Sequence, residues 1–287
     1  MKILVNIAFF FLKILPIPFY YFIGNCFFYI TYYLLRYRRD VVHQNIIKSF
    51  PGFDENKVTL VEKEFYRHLS DYFVESGAIV RLSEKAFQKR FRYLNGFLLE
   101  KYRKEGKNIL ILAGHYGNWE WFCTLPLITG YPVFSLYKPQ HNLFVDEAMV
   151  QSREKYGMRL LPYPGLYKEI ISLPVENPVA VLMAADQRPL WNNKDPWIEF
   201  MNQPITCFRG LENIHKAMKG HAVFAKIVKI KRGHYTVEFI PLDETRADLA
   251  GLSLTERYFI ELEKSIRSDP AYYLWSHKRW KFIKPSG

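Results

Sequence analysis

The stretch Asn108-Ile-Leu-Ile-Leu-Ala-Gly-His-Tyr-Gly-Asn-Trp-Glu-Trp121 decides how the chain is read. Its apolar run, Ile109–Ala113, has the length and composition of a strand buried on both faces. A Gly-rich turn follows, and then a helix predicted to open at Asn118, a favourable N-cap residue. In an open parallel sheet, strand ends of this kind are where ligands bind.

Outward from this block, short apolar runs alternate with helical patterns. Further strands are predicted at Pro132–Tyr137, Met158–Pro162, Val179–Ala184, Ala222–Ile230 and Tyr235–Pro241. Helices are predicted at Trp119–Ile128, Leu143–Tyr156, Leu166–Leu173, Gly210–Lys219 and Thr255–Arg267. Upstream, Val58, Val61, Phe65, Leu69 and Phe73 recur at helical spacing within residues 54–80, which predicts a long amphipathic helix. Strands alternating with helices imply an α/β fold, a mainly parallel sheet flanked by helices.

Composition narrows the partners. The 287 residues are 49% hydrophobic and 17% aromatic, which excludes a disordered chain. A formal charge of +12 points to a polyanionic partner: nucleic acid, an anionic membrane leaflet, or an acidic carrier. Cys26, Cys123 and Cys207 are scattered, without paired or metal-ligand spacing, and fit reduced thiols. From Ile14 to Leu35 run 22 uncharged residues, against the roughly 20 that cross a bilayer core. The run is too long for a secretory signal and has no small-residue cleavage site. Pro16 and Pro18 divide it, so the expectation is an interfacial helix up to Leu15 and a spanning or deeply embedded helix from Phe19 to Leu35. Arg36, Arg38 and Arg39 then place the remainder on the cytoplasmic side. Residues 1–40 thus read as a membrane anchor and residues 41–287 as the cytoplasmic domain.

The chemistry concentrates at His115 and Glu120. With His115 in the turn and Glu120 in the first helical turn, their side chains can meet, and the helix N-terminus favours the Glu120 anion. A carboxylate holding one imidazole nitrogen leaves the other free to act as a base on a hydroxyl. The chain has no Gly-x-Ser-x-Gly elbow and no His-Glu-x-x-His spacing, and Cys123 falls in a helical apolar pattern that reads as core. A His–carboxylate pair without its own nucleophile suits direct transfer from an activated ester. By spacing alone, His-x4-Glu fits a structural histidine equally well.

Gly114-His-Tyr-Gly-Asn-Trp-Glu120 resembles the His-x4-Asp/Glu block of the lipid A biosynthesis acyltransferases (lauroyl/myristoyl type). Arg36–Pro51 is similar to the basic segment these enzymes carry after their membrane helix. Tyr137-Lys138-Pro139 with Arg153 and Gly157 resembles their Tyr-Arg-Pro … Arg-x3-Gly block, and Asp186-Gln187 stands where they have an acidic residue at a strand end. Asp269-Pro-Ala-Tyr-Tyr-Leu-Trp-Ser-His-Lys-Arg-Trp-Lys281 is close to their C-terminal signature. The resemblance implies an O-acyltransferase without metal or redox cofactor. Its donor is an acyl carrier protein thioester, with coenzyme A an alternative, and its acceptor a membrane glycolipid, a lipid A precursor first among them. It places the enzyme on the cytoplasmic face of a bacterial inner membrane. His115 becomes the general base and Glu120 its partner, with Asp186 as the competing carboxylate. Arg153 becomes the candidate for a substrate phosphate or oxyanion, while Lys138 and Arg188 are further substrate-binding candidates.

Two departures, Phe200-Met-Asn-Gln-Pro204 and Cys207-Phe-Arg-Gly210, fall in an expected binding loop and bear on the acceptor rather than the reaction. The competing class is a non-catalytic, membrane-tethered binder of nucleic acid or anionic lipid. Six Lys/Arg between Asn213 and Val237 fit an ordinary solvated surface, an acidic-carrier dock or a headgroup contact, and a tail interleaving Trp275, Lys278, Arg279, Trp280, Lys281 and Phe282 fits a membrane interface or single-stranded nucleic acid. The membrane anchor argues against nucleic acid.

Overall fold

The computed structural model describes residues 16–140, 142–162, 170, 177–189, 195–208, 210–242 and 250–282. Strand β2 (Ile109–Ala113) is buried along its whole length at the centre of the sheet. Removing Ile109, Leu110, Ile111 and Leu112 from water contributes roughly 1.5–3 kcal/mol for each side chain. Strands β1 (Phe91–Tyr93), β3 (Val133–Tyr137), β4 (Arg159–Pro162), β5 (Ala180–Ala184), β8 (His221–Lys231) and β9 (His234–Pro241) complete the order β1-β9-β8-β2-β5-β3-β4. Every neighbouring pair is parallel except the β8–β9 hairpin. The expected mainly parallel sheet is therefore present, with its antiparallel step between the last two expected strands.

Helices cover both faces. Phe224 on β8 meets Tyr258 of α9 (Leu254–Ser268) on one face. Tyr235 is paired with Lys229, an odd number of residues along β8 from Phe224, so it faces the opposite way. There it meets Trp121 and hydrogen-bonds Glu75 of α3 (Glu55–Gly77). Helix α3 starts where Asp54 accepts a hydrogen bond from the Lys57 N–H at 2.7 Å. Its expected apolar stripe is buried at Val58, Val61, Phe65 and Leu69, but Phe73 is 51% exposed.

The N-terminal segment departs from expectation. Helix α1 (Ile17–Tyr29) continues into a π-helical turn, Ile30–Leu34, and stops at Arg36, whose φ is +47°. Tyr20, Gly24 and Phe28 are buried, and a Cβ on Gly24 would lie 3.3 Å from Val74 of α3. Arg232 grips the Tyr21 carbonyl and the Asn25 side chain. Of the two alternatives expected for Phe19–Leu35, spanning or deeply embedded, the spanning one is thus corrected: among the described residues no helix is long and apolar enough to cross a membrane. One face is committed to α3, and 13 α-helical residues rise about 20 Å, short of a core of about 30 Å. The expected helices up to Leu15 and over Leu166–Leu173 lie outside the described residues, apart from Ile170.

The expected helix Trp119–Ile128 is instead a 3₁₀ segment, Trp119–Thr124, followed by a short α6, Pro126–Thr129. Pro126 lacks the N–H that a continuous helix needs. The remaining helices are α2 (Arg39–Ser49), α4 (Glu84–Arg90), α5 (Phe97–Lys104), α7 (Leu143–Glu154) and α8 (Gly210–Met218). Residues 197–206 form a separate hairpin of β6 (Trp197–Phe200) and β7 (Gln203–Thr206), which turns through Met201 and Asn202, both at positive φ. It is fastened to the body by Met201 N–H to Glu263 and Asn202 to the Ser49 carbonyl.

Candidate active site

At the end of β2 the chain must turn between crowded neighbours, and two glycines permit it. A Cβ on Gly114 would lie 2.5 Å from Leu262 of α9. Gly117 has φ +62°, and a Cβ there would lie 2.7 Å from Ile227. The turn is stitched to the C-terminal segment: Leu274 N–H donates to the His115 carbonyl, Gly117 N–H donates to the Tyr272 carbonyl, and Tyr116 bridges Tyr273. The tail is tied in turn to the segment after α1. Asn45 donates to the carbonyls of Trp275 and His277, and Arg38 to that of Ser276. Three motifs far apart in sequence therefore meet around His115.

The contact expected between His115 and Glu120 is not made. Asp186, just past β5, takes its place: His115 Nδ1 lies 2.7 Å from Asp186 Oδ1, and the His115 backbone N–H donates to Oδ2 at 3.1 Å. Burial raises the Asp186 carboxyl, but the charge and hydrogen bonds of His115 outweigh it and hold it below its ordinary value. With Nδ1–H donating to Asp186, Nε2 carries a lone pair, and the Gln187 amide nitrogen sits 3.0 Å from it. The Trp119 ring packs edge-on against the imidazole at 5.1 Å.

Glu120 instead receives a two-pronged grip from Arg153, at 2.8 Å from Nε and 2.7 Å from Nη2, and a hydrogen bond from Tyr72 at 3.2 Å. Its carboxyl, which burial pushes up, is pulled below the usual range by these donors. Tyr72 stacks on Trp119 at 4.1 Å, so the Glu120–Arg153 pair fixes the wall behind the histidine. Asn118 does not cap the following segment. Its amide donates to Glu75 Oε2 at 2.8 Å, where burial raises the Glu75 carboxyl above its ordinary value.

These side chains line a cleft of about 490 Å³ at the ends of β2, β3 and β5. Its lining combines the polar His115, Gln187, Arg188 and Lys138 with the apolar Phe122, Leu136, Met149, Met158 and Leu182. Cys123 also lines it, but burial pushes its thiol well above the ordinary range, as expected of a core cysteine. Of the six candidate residues, His115, Glu120, Arg153, Lys138 and Arg188 line the cleft, and Asp186 stands behind His115. The expected binding loop Phe200–Pro204 does not line it, whereas Phe208 does.

Tyr72, Trp119, Gln187 and His277 joined the site without having been singled out. His277 lies within the tail signature, and burial lowers its pKa to about 4 against the opposing pull of Asp186. Its Nε2 accepts the Arg188 backbone N–H at 3.1 Å. Tyr72 shares a helix face with His68 and Glu75, whose polarity on the buried side of an amphipathic helix was the available signal.

Compared with known proteins, the chain matches the model of the family described as bacterial lipid A biosynthesis acyltransferase over residues 1–282. It is 24% identical over 242 residues to a lipid A biosynthesis acyltransferase of Haemophilus influenzae, covering 83% of this chain and 74% of that protein.

Proposed function

The chain belongs to the bacterial lipid A biosynthesis acyltransferase family and is an acyltransferase; from that premise we propose that it esterifies a hydroxyl of a lipid A precursor from an acyl carrier protein thioester. Coenzyme A is the alternative donor. The observation that carries the reading is His115, hydrogen-bonded to Asp186 and lining a largely apolar cleft.

In this mechanism the acceptor hydroxyl displaces the Gln187 amide from His115 Nε2 and gives up its proton there. The oxygen attacks the thioester carbonyl, a C–O bond forms, and the C–S bond breaks as the tetrahedral adduct collapses. The departing thiolate takes the proton back from the imidazolium, leaving ester and thiol. Asp186 holds the Nδ1–H tautomer and stabilises the imidazolium, the role first expected of Glu120. Glu120 and Arg153 work as a pair that keeps Tyr72 and Trp119 in place. The acyl chain extends into the apolar depth between Phe122, Met149, Met158 and Leu182.

Membrane attachment follows from the outer face of α1. Phe22 and Tyr29 of α1 are exposed, as are Tyr33 and Leu34 of the π-helical turn and Leu35 after it, and the basic Arg36 follows. An apolar groove of α1 and α3 runs past Phe73, and the neighbouring Tyr72 lines the cleft. Residues 1–40 would dock in the interface of the inner membrane, on its cytoplasmic side, and deliver the glycolipid to the catalytic body at 41–287.

The test is direct. Purified enzyme supplied with acyl carrier protein thioester and a lipid A precursor should yield one additional ester, detected by mass spectrometry. A deletion strain with no redundant homologue should accumulate a lipid lighter by one acyl chain. An unchanged lipid profile in that strain would falsify the assignment.

A further inference from the structure

Among the described residues three cations line the cleft, Lys138, Arg153 and Arg188, and they are not equivalent. Arg153 spends its fork on Glu120, so its charge is neutralised and two of its nitrogens are committed. Arg188 pairs with no carboxylate among the described residues, and its Nη1 is buried without a hydrogen-bond partner. A buried guanidinium N–H without an acceptor is costly, so an acceptor brought to this side chain by a ligand would relieve that cost, and Arg188 is among the residues that line the cleft.

Arg188 is also held in position. The neutral His277 imidazole accepts its backbone N–H at 3.1 Å, and its guanidinium lies over the Phe282 ring, 4.8 Å from the centroid. An aromatic face steadies a cation without consuming its in-plane N–H donors. The two residues before it engage both nitrogens of the catalytic imidazole, Asp186 at Nδ1 and Gln187 at Nε2. Arg188 and His115 line the same cleft, so an anion on Arg188 shares that cleft with the reacting centre.

We propose that Arg188, rather than Arg153, is the anchor for a phosphate ester of the substrate. The inference rests on the acyl-transfer reading of this cleft and names the group that docks the substrate head. A thioester and a hydroxyl are uncharged, so the anion must be carried elsewhere on one of the two substrates. A phosphate matches the guanidinium fork and has oxygens left over for Lys138, which lines the same cleft. Both the glycolipid phosphate and the phosphodiester of a carrier's pantetheine arm have this chemistry.

The experiment measures binding, so it needs no turnover. Detergent-solubilised full-length protein is titrated with glucosamine 1-phosphate and with 4′-phosphopantetheine, using glucosamine and pantetheine as the uncharged controls. Wild type should bind one phosphate probe at least about tenfold more tightly than its control, and which probe does so identifies the source. Arg188→Ala should lose this preference, Arg188→Lys should keep part of it, and Arg153→Lys should leave it intact. If Arg188→Ala does not fold, Arg188→Lys and Phe282→Ala carry the test, each with at least about a threefold loss. Equal binding of phosphate probes by wild type and the folded Arg188 variants, or no phosphate preference in wild type, overturns the proposal. Failure of wild type to form ester product overturns the acyl-transfer reading instead, so the two outcomes are separable.

Discussion

Glu120 and Asp186 are both buried at the cleft, and both ionise more readily than their ordinary values despite that burial. Glu120 rests on a guanidinium that never gives up its charge, whereas Asp186 rests on an imidazole that can. A carboxylate locked to a permanent cation is an architectural element. A carboxylate locked to a titrating ring orients a base and stabilises the charge that the base acquires. Chemical type and burial are nearly the same at the two positions; the partner makes the difference.

Removing the ring at the centre of this contrast should have the largest effect. His115→Ala is expected to lower kcat by about 10²–10⁴ while the protein still melts as a folded unit. Transfer near wild-type rates by a folded His115→Ala protein would end the mechanism. Next comes Asp186→Asn, expected to cost about two to three orders of magnitude in kcat by loosening the imidazole's tautomer and orientation. Equal damage from Glu120→Gln and Asp186→Asn to the folded enzyme's kcat would erase the distinction between the two carboxylates.

Glu120→Gln should act mainly on stability. It leaves Arg153 buried without its counter-charge, a loss of about 3 kcal/mol in denaturant unfolding, and Glu120→Leu with Arg153→Met should recover most of it. The same two carboxylates set an acid limit. Their folded pKa values lie below the unfolded ones, so their contribution is complete above the ordinary carboxylate range of about 4. It is lost as pH falls through the lower folded values. Stability should therefore decline below about pH 4, and less steeply in Glu120→Gln. The smallest effect is expected from Tyr72→Phe, about 1 kcal/mol for one hydrogen bond to Glu120, with the stack on Trp119 retained.

Much of this was legible in sequence for a local reason. A strand buried on both faces must be apolar throughout, so Ile109–Ala113 and the strands predicted after it were found to within a residue or two. The short β1 and the β6–β7 hairpin carry only three or four residues per strand and went unseen. The N-terminal run misled because hydrophobicity records only that a surface avoids water. It does not record whether lipid or the face of α3 covers that surface, and Gly24 against Val74 indicates the latter for one side of the helix.

The place of His115 at the end of β2 was legible in sequence alone, because a strand, a Gly-rich turn and an imidazole are consecutive in the chain. Its partner was not, because Asp186 is 71 residues away and arrives only when β5 pairs in register with β2. Glu120, five positions along, was the nearer carboxylate, and the 3₁₀ segment turned it to Arg153 instead. The two arginines present the same letter to a reader of the sequence. Tertiary packing alone neutralised Arg153 with a carboxylate and left Arg188 with a buried donor unpaired among the described residues, since hydrogen-bond saturation depends on which neighbours the fold supplies.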